Sequence, residues 1–77
     1  MSPATDARIT VTVNGEERTV PDGYPLTSVL RDLEIDPEAA AGVAVAINDS
    51  VIRGADWDGV TLSQDDAVEV IQAQQGG

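Results

Sequence analysis

The amino-acid sequence predicts a two-layer α+β fold in which one main helix packs against a mixed sheet of four to five strands. Three observations lead to this prediction. Two segments with the two-residue period of strands flank an Asn-Gly pair, a leucine-rich segment with helical spacing follows, and short strand-like segments fill the second half of the chain. Packing the helix on one sheet face would bury every apolar stripe. The order of hairpin, helix and then a neighbouring strand is that of the β-grasp fold.

A hairpin is predicted at the start of the sheet. Ile9, Val11 and Val13 alternate with polar residues, as expected for a strand with one buried face. Asn14-Gly15 follows, and these residue types tolerate the positive φ angles of a type I′ turn. Residues 16–20 would then return as the second strand.

One main helix is predicted after a turn at residues 21–23. Its apolar residues recur at i, i+3, i+4 and i+7 and would form a single buried stripe: Leu26, Val29, Leu30 and Leu33. Pro25 suits the start of a helix, where a missing N–H costs nothing. Asp36-Pro37 is expected to end the helix, because the residue before proline is disfavoured in the α region. Residues 38–41 would add a short further helical turn.

The second half of the chain predicts three more strands, at residues 43–47, 50–53 and 67–73. In the last of these, Val68 and Val70 would point inward. The segment between the second and third of these strands carries the only tryptophan, Trp57, which we interpret as a cap on a small core. These elements define one β-grasp domain at residues 8–73, with a flexible N-terminal extension at 1–7 and a flexible Gly-Gly tail at 74–77.

The composition excludes several kinds of chemistry. The 77 residues include no cysteine and no histidine, so the chain can build no thiolate nucleophile, imidazole base or zinc cluster. A core of this size also leaves little space for an enclosed active site. We therefore expect no enzymatic activity, no catalytic residue and no bound metal. Asp65, Asp66 and Glu69 lack the spacing of a calcium loop and are interpreted as part of a solvated acidic turn.

The chain is strongly acidic, with a formal net charge of −10. This charge disfavours nucleic acid and anionic membranes as partners, and it would speed the encounter with a basic protein. Solubility in a high-salt cytoplasm would explain the acidity equally well. Neither a membrane span nor the apolar part of a signal peptide is recognisable, which predicts a cytoplasmic protein.

Gly76 and Gly77 end the chain a few residues beyond the last predicted strand. Two terminal glycines arise by chance in roughly one chain in two hundred, which is only a modest signal. The alternative is a frayed chain end without a function. Their position just after a strand of a small rigid domain favours a functional tail.

Several blocks of sequence, with the spacing between them, resemble one known family. The blocks are VAVAIN at residues 43–48, VIR at 51–53, Trp57, DAVEVI at 66–71 and the terminal Gly-Gly. Over residues 8–77 the chain resembles the ubiquitin-like sulfur-carrier proteins of thiamine biosynthesis, the ThiS family. MoaD, the small subunit of molybdopterin synthase, is a more distant relative.

The resemblance implies that Gly77 carries the working carboxylate. A carboxylate is a poor electrophile, so a ThiF- or MoeB-like partner enzyme would consume ATP to form an acyl-adenylate at Gly77. Sulfide or a persulfide would then attack the acyl-adenylate, which would convert the Gly77 carboxylate into a thiocarboxylate. A ThiG-like thiazole synthase or another acceptor enzyme would take the sulfur. The chain itself would bind no cofactor. Gly76 and Gln75 would thread into the partner enzyme, where a Cβ at position 76 would obstruct the path.

A partner-docking surface is predicted on the sheet face away from the helix. Ala44, Ala46 and Ile71 should lie there as a small apolar patch near the tail, which would let the adenylating enzyme approach closely. The alternative is that these residues are tolerated strand surface with no partner.

Three other functions stay open at this point. The same activated Gly77 could form isopeptide bonds with other proteins, as in a ubiquitin-like modifier. The sulfur could instead be donated to molybdopterin or another biosynthetic pathway. The domain could also be a binding module with an idle tail.

Overall fold

The computed structural model describes residues 7–39 and 41–73, and it confirms a mixed sheet packed against one main helix. Five strands form the sheet: β1 Arg8–Val13, β2 Glu16–Pro21, β3 Val43–Ile47, β4 Ser50–Ile52 and β5 Ala67–Gln72. The helix α1 spans Leu26–Asp32, and two short 3-10 helices lie at Pro37–Ala39 and Gly54–Gly59. Within this part of the chain, no helix is long and apolar enough to cross a membrane.

The strands lie in the order β2-β1-β5-β3-β4. The β1–β5 pair is parallel, and the other neighbouring pairs are antiparallel. The sequence predicts that the strand after the helix lies beside the hairpin, but β5 lies between β1 and β3. Both of those strands would otherwise present an unpaired edge, and the last strand satisfies the two edges at once. The chain's final strand is therefore at the centre of the sheet.

The core lies between α1 and the inner face of the sheet. The side chains buried to 2% exposure or less come from both layers and from the segment before β5: Val11, Val13, Leu26, Val29, Leu30, Val45, Leu62 and Val68. Trp57 is 6% exposed, and its indole N–H donates to the carbonyl oxygen of Ile52 at 3.0 Å. Trp57 thus packs with the buried residues of the core, in agreement with its predicted role as a cap.

The helix ends earlier than Asp36-Pro37, the boundary that the sequence predicts. After Asp32 the chain takes a positive φ of 65° at Glu34. The N–H groups of Glu34 and Ile35 then donate to the carbonyls of Arg31 and Leu30, both at 2.9 Å, which is the Schellman pattern. Ile35 is buried, and bringing it onto the core is what ends the helix before the proline acts. The 3-10 helix that follows begins at residue 37.

Of the predicted terminal segments, residues 1–6 and 74–77 lie outside the described residues. Ala7 is described and exposed. The predicted division into extension, domain and tail at residues 7/8 and 73/74 stays a prediction.

Candidate functional site

The predicted tail residues Gln75, Gly76 and Gly77 lie outside the described residues. The structure describes the chain as far as Ala73, which is the last residue before the tail. The candidate site is therefore built from β5, which leads to the tail, and from the outer face of the sheet beside it.

The end of β5 is held on the β3 side by backbone pairing. Gln72 is opposite Val43, and Ile71 is opposite Ala44. One residue further, the N–H of Ala73 donates to the carbonyl oxygen of Gly42 at 2.7 Å. Backbone contacts thus continue on this side to the last described residue.

On the β1 side, an asparagine side chain replaces strand pairing. The β1–β5 register stops at Val13 opposite Val68. Beyond it, the N–H of Val70 donates to Asn14 Oδ1 at 2.8 Å, while the N–H of Asn14 donates to the carbonyl of Val68 at 2.9 Å. Sequence reasoning identifies Asn14 only as a turn residue. Its contact with β5 depends on β1 and β5 being neighbours, and no local signal carries that information.

A second asparagine holds the start of β5. Asn48 Oδ1 accepts from the N–H of Ala67 at 2.9 Å, and Asn48 Nδ2 donates to Asp66 Oδ1 at 2.9 Å. The other oxygen of the Asp66 carboxylate accepts the N–H of Ser63 at 2.8 Å. Asp66, one of the acidic residues considered above, is therefore engaged in a turn. Among the described residues, no group of three acidic side chains is placed to hold a metal ion.

The three residues predicted as a docking surface lie together on the outer face of the sheet. Ala44 is directly opposite Ile71, and Ala46 is opposite Glu69 on the next pair of β3 and β5. Val70 and Val45, which alternate with them, point into the core. The predicted placement on the face away from the helix is thus correct, whereas the docking role itself stays a prediction.

The structure adds Val51 to this surface. Val51 is opposite Ala46 on the other side of β3 and is 76% exposed, and Ile71 is 63% exposed. These two are the exposed large hydrophobic residues of the described chain. The two-residue turn at residues 48–49 would have predicted this register, because a tight hairpin fixes which residues face each other. We call Ala44, Ala46, Val51 and Ile71 the outer patch.

The outer patch contains no reactive group. Its side chains are aliphatic, and the two alanines of β3 form a low strip between the larger Val51 and Ile71. Glu69, on the same face, brings one negative charge to its margin. An apolar strip of this kind suits contact with a protein surface more than with a small polar ligand. No pocket is present in the part of the molecule that the structure describes.

Comparison with known proteins identifies similar chains. The ThiS family model matches residues 9–77. The chain is similar to the thiamine biosynthesis protein ThiS from Geobacter metallireducens, whose crystal structure superposes with a TM-score of 0.71 at 31% identity, over 90% of this chain and 100% of that chain. A solution structure of a thiamine biosynthesis protein from Geobacter metallireducens gives a TM-score of 0.70 at 31% identity, with coverages of 90% and 88%. No protein with curated annotation matches the sequence.

Proposed function

The chain belongs to the ThiS family of small sulfur carriers, which are not enzymes, and we propose that it carries sulfur as a thiocarboxylate on Gly77 for the thiazole of thiamine. The observation that supports this most directly is the family match, which runs through the C-terminal Gly-Gly to Gly77. The absence of cysteine agrees with it, because the chain then offers no thiol of its own as a sulfur carrier.

The proposed chemistry takes place at the terminal carboxyl group. A carboxylate oxygen of Gly77 attacks the α-phosphorus of ATP in a partner enzyme, and pyrophosphate leaves. Sulfide then attacks the acyl carbon, and AMP leaves in place of the oxide that a free carboxylate would have to expel. The resulting thiocarboxylate is nucleophilic at sulfur, so an acceptor enzyme can transfer that sulfur to a heterocycle. ATP is consumed by the partner and is not a cofactor of this chain.

The fold suits this role because backbone contacts hold the strand that leads to the reacting end. β5 lies at the centre of the sheet, and its contacts reach Ala73. Residues 74–77 follow, and four residues span at most about 13–14 Å when extended. We propose that Gln75 and Gly76 enter a narrow channel of the partner, where a Cβ at position 76 would crowd the acyl carbon.

The proposed partners are a ThiF- or MoeB-like adenylating enzyme and a ThiG-like thiazole synthase. We propose that the adenylating enzyme docks on the outer patch, since that patch holds the two exposed large hydrophobic residues of the described chain. The patch also includes Ile71, two residues before the last described position. A partner seated there would receive the C-terminal segment directly. The chain's net charge of −10 would favour a partner with a basic surface around the apolar contact.

Intact-mass spectrometry tests the proposed function. The purified chain is incubated with ATP, sulfide and the adenylating enzyme, and we expect its mass to rise by the difference between one sulfur and one oxygen. A variant that lacks Gly77 is the matched control and should not gain this mass. An unchanged mass with an enzyme that is active on another carrier would refute the carrier chemistry.

Immunoblotting of whole cells for the tagged chain separates carriage from protein modification. A single small band is expected for a sulfur carrier. A ladder of larger bands that disappears when Gly77 is deleted would instead identify a ubiquitin-like modifier.

Thiamine dependence of growth in a strain that lacks the gene distinguishes thiazole from other sulfur acceptors.

A further inference from the structure

We propose that Asn14 is a positioning residue that fixes the end of β5, and with it the point from which the C-terminal segment leaves the domain. The inference rests on the proposed function, because it concerns how the reacting end is presented to the adenylating enzyme. It assigns no chemistry to Asn14, which lies in the hairpin turn.

The geometry shows how Asn14 extends the sheet after β1 has ended. In a parallel pair, a carbonyl on one strand accepts the N–H of the other strand at regular intervals. After Val13 the chain turns away, with a φ of 52° at Asn14. The side-chain oxygen of Asn14 then accepts the N–H of Val70 at 2.8 Å, in the role that a backbone carbonyl would fill if β1 continued. One more rung is thereby added to the ladder.

This additional hydrogen bond matters because Val70 is only 9% exposed. A buried N–H that loses its acceptor is costly, and the strand can avoid that cost by opening locally to water. On the opposite side, the N–H of Ala73 is bonded to the carbonyl of Gly42. Asn14 on the β1 side and Gly42 on the β3 side therefore both hold the last residues of β5. When the Asn14 acceptor is removed, these residues are held from the β3 side only.

Local opening at this position would reduce productive docking. If the end of β5 is correctly placed in only a fraction of the molecules, the apparent affinity for the partner falls by that fraction. Once the C-terminal segment is bound, the adenylation step proceeds from the same complex. Loss of the Asn14 acceptor should therefore raise KM and leave kcat nearly unchanged.

Asn48 offers a matched control within the same chain. It too has a φ of 52°, lies in a two-residue turn and accepts an N–H of β5 through its side-chain oxygen, at 2.9 Å from Ala67. Ala67 is the first residue of β5, at the opposite end of the strand from the C-terminal segment. A general loss of stability would act at both asparagines, and at least as strongly at Asn48, because Asn48 Nδ2 also donates to Asp66 Oδ1. Positioning of the C-terminal segment would depend on Asn14 alone.

Three variants test the proposal. Asn14→Gly keeps a residue that tolerates positive φ but removes the acceptor, and Asn14→Asp keeps an acceptor oxygen at the same place. Asn48→Gly is the control. We expect Asn14→Gly to raise KM for the adenylating enzyme by more than about twofold and by no more than about tenfold, the limit set by the loss of one hydrogen bond, with kcat within about twofold. Asn14→Asp and Asn48→Gly should keep KM within about twofold of the parent chain.

Amide hydrogen exchange in the free chain provides the second readout. Exchange at Val70 should be faster in Asn14→Gly than in Asn14→Asp. An unchanged KM in Asn14→Gly, or an equal rise in Asn48→Gly, would overturn the positioning role. If the parent chain is not adenylated at all, the proposed function fails; unchanged exchange at Val70 would then still overturn the contact with β5 on its own.

Discussion

Tyr24 shows how a single side chain couples the two ends of the short helix. Tyr24 lies just before α1, and its hydroxyl donates to Asp32 Oδ2, on the last helical residue, at 2.6 Å. This hydrogen bond to Asp32 raises the pKa of Tyr24 above its ordinary value of 10.0. Partial burial and the negative charge of Asp32 raise the pKa further, and the Arg18 cation acts weakly in the opposite direction. The phenolate is therefore disfavoured in the folded chain.

The first residue-scale prediction is a pH dependence of stability. The folded state holds the Tyr24 proton more tightly than the unfolded state. The stability that protonated Tyr24 contributes is therefore fully present below the unfolded pKa, and it is lost as pH rises through the folded pKa. Tyr24 is the only tyrosine, so phenolate absorbance titrates it alone. We expect a higher midpoint in the folded chain than in urea.

Two variants provide the comparison for this titration. Asp32→Asn should lower the folded midpoint, because both the anionic acceptor and its charge are lost. Asp49→Asn removes one negative charge elsewhere and should change the midpoint less. Equal midpoints for the folded and unfolded parent chain would contradict the role of the Asp32 contact.

At the scale of the element, the end of α1 is held by backbone geometry more than by side-chain chemistry. The Schellman pattern requires a left-handed residue after the helix, and glycine is the usual choice because it has no Cβ. Here the position is occupied by Glu34, with a φ of 65° and an exposed side chain. The buried Ile35 that follows offsets this strain.

Glu34→Gly is therefore predicted to stabilise the fold by about 0.5–1 kcal/mol, as relief of the left-handed strain outweighs the added freedom of the unfolded chain. Urea unfolding followed by fluorescence measures this change, since Trp57 is the only tryptophan and is buried. Glu34→Ala removes the same side chain but keeps the Cβ, so it should leave the free energy of unfolding nearly unchanged. An equal effect of the two variants would show that the Cβ is not the cause.

At the scale of the whole molecule, the arrangement of strands creates the outer patch from separate parts of the sequence. Ala44 and Ala46 come from β3, Val51 from β4 and Ile71 from β5. The patch occupies one half of the outer face, while the hairpin half of that face carries polar residues such as Thr10 and Thr19. Binding of a partner to the outer patch should therefore be weakened by substitutions in that half of the face and not by substitutions in the hairpin half.

Ala46→Lys tests this docking proposal. The new cation would face Glu69 across the strand pair, which favours folding, but it would place a charge in the middle of the apolar contact. We expect kcat/KM for adenylation to fall about tenfold or more. Thr19→Lys adds the same charge on the exposed hairpin half and should have an effect of less than about twofold.

The folded state of each variant is checked by Trp57 fluorescence. Ile71→Ser gives an independent test, because a residue that is 63% exposed can be replaced at little cost to the fold. Unimpaired adenylation of folded Ala46→Lys and Ile71→Ser would contradict docking on the outer patch.

Part of this structure was predictable because the signals are local. Alternating residues in β1 and β5 indicate which side chains face inward, and the leucine spacing indicates the helix and its buried stripe. Alternation in β3 and β5 likewise predicts three of the four residues of the outer patch. The fourth, Val51, follows from the register of a two-residue turn. The proposed reacting residue, Gly77, was identified from its position and its family resemblance, and it lies outside the described residues.

The sequence by itself determined the five strands and the main helix, their order and the inner and outer faces, since each depends on neighbours a few residues apart. Only the tertiary structure decided that β5 lies between β1 and β3, that α1 ends once Ile35 reaches the core, and that Asn14 contacts Val70. Residues 14 and 70 are 56 positions apart, so their contact follows from strand pairing across the whole sheet. No local pattern encodes such a pairing, because an unpaired strand edge can accept any strand that the rest of the fold brings beside it.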